Sequence, residues 1–105
     1  MKTTQIEKYQ QFFEMAQVGK VDNLVVEVYT DHNPPHFYVV KKDKFEVRIG
    51  IDSEEVVSYK WQKSGATISS SELKKVRQWL NQKHDDKNIT NRDAVEMFWK
   101  AMNHK

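Results

Sequence analysis

The stretch Lys44-Phe45-Glu46-Val47-Arg48-Ile49-Gly50-Ile51 decides the fold. Phe45, Val47, Ile49 and Ile51 alternate with Lys44, Glu46 and Arg48. A period of two is that of a pleated strand with one buried and one wet face. Upstream, Phe37 to Val40 has strand composition and joins this stretch through the polar turn region Lys41-Lys42-Asp43. Downstream, Asp52-Ser53-Glu54 makes a turn, after which Val57, Tyr59 and Trp61 alternate with Val56, Ser58 and Lys60. Further upstream, Leu24-Val25-Val26-Glu27-Val28-Tyr29 is rich in β-branched residues and reads as another strand. Connections this short favour an antiparallel meander of four strands.

Helices are expected on both sides of the meander. From Thr4 to Val18, Ile6, Tyr9, Phe13 and Ala16 recur at three-to-four spacing with Phe12 beside them, and Gly19 is a suitable stop. Ser69 with Glu72 three residues later has the form of a capping box, followed by the stripe Leu73, Val76, Trp79 and Leu80. The polar run His84 to Asn88 breaks that stripe. Thr90 and Asp93 make a second capping signal before Val95, Phe98, Trp99 and Met102. The expected fold is α+β: an N-terminal helix, a four-stranded antiparallel meander, and two C-terminal helices packed on the Phe45/Val47/Ile49 face, in one domain spanning residues 1–105.

Composition narrows the function classes. The chain has 105 residues, 38% of them hydrophobic and 30% charged, with a net charge of +2. So mild a bias gives no reason to expect nucleic-acid binding by charge alone. No apolar run approaches the length of a membrane span, and the polar start Met1-Lys2-Thr3-Thr4-Gln5 lacks the apolar stretch of a signal peptide. The absence of cysteine excludes disulfides and thiolate metal sites. A cytoplasmic protein, with no membrane partner and no cofactor, is the simplest expectation.

One local sequence is unusual: Asp31-His32-Asn33-Pro34-Pro35-His36-Phe37. Two prolines remove two backbone donors and push the residues before them toward extended geometry, so the connection is rigid. A stiff loop holds side chains at low entropic cost, which makes Asp31, His32, Asn33, His36, Tyr38 and Arg48 the ligand-binding candidates. Asp31, His32 and His36 are metal-ligand types, but a usable site needs at least three ligands in converging geometry. Beyond them the nearest by sequence are Asp43 and Asp52, and no metal site is assigned. A catalytic reading uses His36 as general base, with Asp31 or Glu27 orienting it and Arg48 stabilising negative charge, and His32 is a further catalytic candidate. Cleavage of RNA needs no protein nucleophile, so these residue types are sufficient for it. The plainer reading is a loop whose histidines cap backbone groups or stack on neighbouring aromatics, and it carries more weight.

Counting in twos places His36, Tyr38 and Val40 on one side of the sheet and Phe37 and Val39 on the core side. If the sides of the strands coincide, the outer face gathers His36, Tyr38, Tyr29, Lys44 and Arg48. Such a set can form a stacking platform for single-stranded nucleic acid, although an ordinary wet face with cross-strand pairs outweighs it. Val25, Val40 and Val56 suggest that something partly covers that face. Trp61, Trp79 and Trp99 fit core positions, and Lys74, Lys75, Arg77 and Lys83 fit the solvated side of a helix.

At His32-Asn33-Pro34-Pro35-His36-Phe37 the chain resembles a bacterial domain-of-unknown-function family, number 4160, marked by an HNPPHFH stretch between two strands. The resemblance runs through the Phe45–Ile51 strand to Val76 and Trp79, and on to Arg92 and Trp99, covering roughly residues 24–100. The sequence departs from the family pattern at Tyr38, where the family has its last histidine, and carries an insertion-like stretch from Asp85 to Thr90. The resemblance implies a small bacterial protein whose partner is a small protein encoded by a neighbouring gene, in a toxin–antitoxin-like pair, with RNA as a further contact. An interaction module is therefore the first expectation, as monomer or homodimer. A metal-independent RNA-directed enzyme using His32 and His36, and a metal-binding domain, are the alternatives.

Overall fold

The computed structural model describes residues 15–30, 34–85 and 88–103. Its elements are β1 (Met15–Val21), β2 (Leu24–Tyr29), β3 (His36–Lys41), β4 (Phe45–Gly50), β5 (Val56–Gln62), α1 (Ser70–Leu80) and α2 (Asn91–Asn103). The strands form one antiparallel sheet in chain order, a meander of five rather than four. The α+β class and the two C-terminal helices stand; the expected N-terminal helix and four-stranded sheet do not. Residues 4–14 of the expected helix lie outside the described residues, and Met15–Val21 is a strand paired with β2 through Ala16↔Val28 and Lys20↔Val25.

The reason lies in two short signals. Asp22 and Asn23 alone separate Val21 from its partner Leu24, and Asp22 adopts φ 54°, a left-handed conformation that aspartate tolerates better than most residues. Gly19, a suitable helix stop by sequence, instead lies in strand β1 just after a register shift and beneath Trp79. A Cβ built at Gly19 would lie 2.6 Å from Cζ2 of that indole, so glycine is required here by close approach. Four residues from Met15 to Val18 are too few to distinguish a period of two from one of 3.6.

The core is built as the alternation in β4 predicts. Phe37 and Val39 of β3 pair with Ile49 and Val47 of β4, and all four are fully buried with Val26, Val28, Val76, Leu80 and Val95. Both helices pack on this face. Ser69 and Glu72 make the reciprocal capping box of α1, and Glu72 also accepts from Lys41 Nζ of β3 at 2.8 Å. Burial alone would raise the Glu72 carboxyl, but Lys41 and the Ser69 amide outweigh it and hold the carboxyl below its ordinary range. Thr90 and Asp93 cap α2 in the same reciprocal way, at 3.1 Å each. Buried Asn91 donates to the Trp79 carbonyl at 2.7 Å, tying the start of α2 to the end of α1.

Two expectations about β5 are corrected. Its pairing with β4 carries irregularities between Glu46 and Val47 and between Arg48 and Ile49. Each inserts an extra residue in β5, so Lys60 interrupts the alternation and Trp61 sits opposite Glu46, 42% exposed rather than in the core. Trp79 and Trp99 do pack in or against the core. Among the described residues no helix is long and apolar enough to cross a membrane.

Replacing Gly19 with alanine forces the Trp79 ring to shift and costs about 1–3 kcal/mol, the usual range for overpacking. Urea unfolding followed by tryptophan fluorescence measures it.

Candidate functional site

Because Phe37, Val39, Val47 and Ile49 are committed to the core, the residues between them point to the opposite face. The register there forms a row across the sheet: Glu27 opposite Tyr38, Tyr38 opposite Arg48, Arg48 opposite Ser58. Arg48 donates from Nε to the Tyr38 hydroxyl at 2.9 Å and from Nη1 to Ser58 Oγ at 3.0 Å. Both partners are neutral. The other two arginines pair with carboxylates, Arg77 with Glu55 at 3.3 Å and Arg92 with Glu54. Among the described residues Arg48 has no carboxylate partner, and Nη2 has no protein acceptor.

His36 sits at the start of β3, 5.2 Å from the Tyr38 ring in an edge-on arrangement. Its Nδ1 lies 2.7 Å from the Pro34 carbonyl. A carbonyl can only accept, so Nδ1 carries the proton and donates. The imidazole of His36 thus caps a backbone group, one of the options in the plainer sequence reading, and packs edge-on against an aromatic neighbour. Nε2 is shielded from solvent, and a general base must reach the proton it takes.

The outer face is not the open platform that alternation suggests. Tyr38 is 2% exposed and His36 4%, so β3 is buried on both faces. Tyr29 packs edge-on against Tyr38 at 4.6 Å, and Lys60 Nζ lies 4.3 Å from the Tyr29 centroid. Lys60 also approaches Glu46 at 3.7 Å, while Trp61 Nε1 donates to Glu46 at 3.0 Å. The Tyr29 hydroxyl donates to Glu27 at 3.0 Å. Burial, with Glu46 and Glu27 close by, pushes the Tyr29 phenol well above its ordinary value. Glu27 is pushed up chiefly by burial; the Tyr29 hydrogen bond and Lys60 oppose this, and Glu46 adds to it.

Beside Arg48 opens a cleft of about 530 Å³. Pro34, Pro35 and His36 line it from the entrance to β3, Gly50, Asp52 and Ser53 from the β4–β5 turn, and Val57 and Ser58 from β5. Gly50 permits this turn. A Cβ there would meet Ser53 Oγ at 2.4 Å, the oxygen that accepts the Glu55 amide at 3.2 Å.

Of the sequence candidates, His36 and Arg48 line this cleft and buried Tyr38 contacts both, whereas Asp31, His32 and Asn33 lie outside the described residues. Lys44 is exposed just after the β3–β4 turn, at the other end of the strands from His36, and takes no part. Ser58 was legible by extending the Arg48 row by one strand. Ser53 was not, because a turn brings it in, and Asp52 entered the sequence reading only as a further metal-ligand type. Among the described residues no three or more histidines, aspartates or glutamates gather as a metal site. The basic side of α1 is more than solvated: Arg77 donates twice to the Glu54 carbonyl, and Lys75 pairs with Asp22 at 2.9 Å.

The fold and cleft define a small α+β protein with a meander sheet, helices on one face and an arginine-centred cleft on the other. Residues 24–87, more than half of the chain, match the family model described as "Domain of unknown function (DUF4160)", and the chain belongs to that family. The match stops short of α2, so Arg92 and Trp99 fall outside it. No match was found among curated proteins or solved structures.

The raised Glu27 carboxyl makes stability depend on pH. The folded state binds this proton more tightly than the unfolded chain, so stability falls as pH rises from the ordinary carboxylate value through the raised one. Glu27→Gln, which still accepts from Tyr29, is therefore expected to raise the melting temperature at about pH 7 and leave it unchanged at about pH 3. Thermal unfolding at the two pH values checks this.

Proposed function

We propose that the protein is a binding module whose Arg48 cleft takes a phosphate group from its partner, with single-stranded RNA as the phosphate source. The observation that carries this reading is a guanidinium with no carboxylate partner among the described residues: it is oriented by two neutral hydroxyls and lines a cleft. Its charge stays available for a ligand while its geometry is fixed, which is how arginine serves oxyanion recognition. The Ser53 and Ser58 hydroxyls line the same cleft and can add donors. Asp52 lines it too and works against any anion, less against a singly charged phosphodiester than against a polyphosphate.

Contact through phosphate also agrees with the burial of the aromatics. Bases cannot stack on a Tyr38 ring that is 2% exposed and already packed against Tyr29. A module of this kind positions a strand without reading its sequence. Catalysis by His36 is the weaker reading, since one ring nitrogen is tied to Pro34 and the other is shielded. A small protein from a neighbouring gene, as in a toxin–antitoxin-like pair, is the partner that the family resemblance suggests. Its acidic side chains are the competing anion for the same cleft.

Amide-shift titration with a short single-stranded RNA at two salt concentrations tests the reading, with Arg48→Gln beside the wild type. Localised, salt-sensitive shifts at Arg48, Ser53 and Ser58 are expected, with affinity falling roughly tenfold to a hundredfold in the variant. Shifts that ignore the substitution, or none at all, contradict it. Saturation of the same residues by an acidic peptide but not by RNA assigns the cleft to a protein partner instead.

A further inference from the structure

The cleft is walled on one side by a turn that its own strands only partly hold. Between β4 and β5, Gly50 N donates to the Glu55 carbonyl at 3.0 Å and Glu54 N to the Gly50 carbonyl at 2.9 Å. Glu54 adopts φ 60°, a left-handed conformation unfavourable for a residue with a Cβ. Such a conformation persists where surrounding contacts impose it. Here they come from behind the sheet. Arg77 of α1 donates through Nε and Nη2 to the Glu54 carbonyl at 3.1 and 2.9 Å. Arg92 of α2 donates through Nη1 to the Ile51 carbonyl at 2.6 Å and pairs through Nη2 with the Glu54 carboxylate.

Two helices thus grip the two ends of a five-residue turn, and the residues between the grips, Asp52 and Ser53, are those that line the cleft. The position of Arg92 is informative in itself. It is the second residue of α2, where the helix dipole disfavours a cation, so its placement costs energy that the Glu54 pair and the Ile51 carbonyl offset. A lysine could keep the ion pair, but it lacks the planar fork that reaches both acceptors.

We infer that Arg92, seconded by Arg77, is a positioning residue for the cleft: it sets where Asp52 and Ser53 stand relative to Arg48 and so tunes the anion affinity without touching the ligand. The inference rests on the Arg48 reading above. It also makes α2, which lies beyond the family match, part of the apparatus of the site.

The test compares wild type, Arg92→Ala, Arg92→Lys and Gly19→Ala, the last being a destabilised control with its change on β1, outside the cleft lining. Two readouts are taken on the intact chain well below the melting transition: hydrogen exchange at the Gly50 and Glu54 amides without ligand, and affinity for inorganic phosphate by amide shifts. Arg92→Ala is expected to speed exchange at both amides and to lower affinity roughly threefold to tenfold, with Arg92→Lys intermediate and Gly19→Ala unchanged in affinity. Faster exchange with unchanged affinity overturns the inference, as does an affinity loss of the same size in Gly19→Ala. Unchanged exchange removes the grip itself and overturns it at its root. If wild type and Arg48→Gln both fail to bind phosphate or RNA, the Arg48 reading has fallen and the positioning role falls with it, even where exchange at the turn responds.

Discussion

The pairing of Tyr38 with Arg48 across β3 and β4 is the constraint on which the rest of the site depends. Neither residue chooses its own place. Phe37 and Val39 on one strand and Val47 and Ile49 on the other are fully buried against the helices, and a pleat sends the residues between them to the other face. A slip of one residue would drive a guanidinium among Val76, Leu80 and Val95 and expose the apolar set to water. Burying that charge unpaired would cost several kcal/mol. The hydrophobic core therefore fixes the register, the register fixes the arginine, and the two hydroxyls of Tyr38 and Ser58 fix its orientation. The cleft inherits the rigidity of the core, which is the usual support for a preorganised binding group.

Several charges elsewhere among the described residues find a local partner. Lys41 meets Glu72, Lys75 meets Asp22, Lys60 approaches Glu46, and Arg77 and Arg92 meet Glu55 and Glu54. Arg48, held by hydroxyls alone among the described residues, differs from the other two arginines, and it lies where the surface is concave. The extra residues in β5 contribute to the arrangement. They bring Lys60 over the Tyr29 ring and Trp61 onto Glu46, and they twist a strand whose outer edge is unpaired among the described strands.

Much of this could be read from the sequence, and the failures have physical causes. The strands from Leu24, Phe37, Phe45 and Val56 onward and both capping boxes were legible, because periodicity and capping chemistry are local. The shared face of His36, Tyr38 and Arg48 followed from counting in twos. The first strand was not legible: Gly19 marks a close approach to Trp79, a contact 60 residues away in the chain that mimics a helix stop. Trp61 was misplaced because a single inserted residue reverses the count, and no residue type announces the insertion. The burial of Tyr38 depends on side chains from β2 and β5 closing over it, which one strand's pattern cannot reveal. Arg77 looked like an ordinary helical cation, since its acceptor is a backbone carbonyl of a distant turn.

The central claim is that a neutral hydroxyl, not a carboxylate, aims the guanidinium at the cleft. Tyr38→Phe removes that hydroxyl and leaves the ring, the register and the net charge unchanged. The deciding measurement is the phosphate affinity of this variant together with the exchange rate of the Arg48 Nε proton. The account predicts faster exchange at Nε and an affinity lower by about fivefold to tenfold, with the fold intact. An affinity equal to that of the wild type, with Nε now exchanging freely, would contradict it.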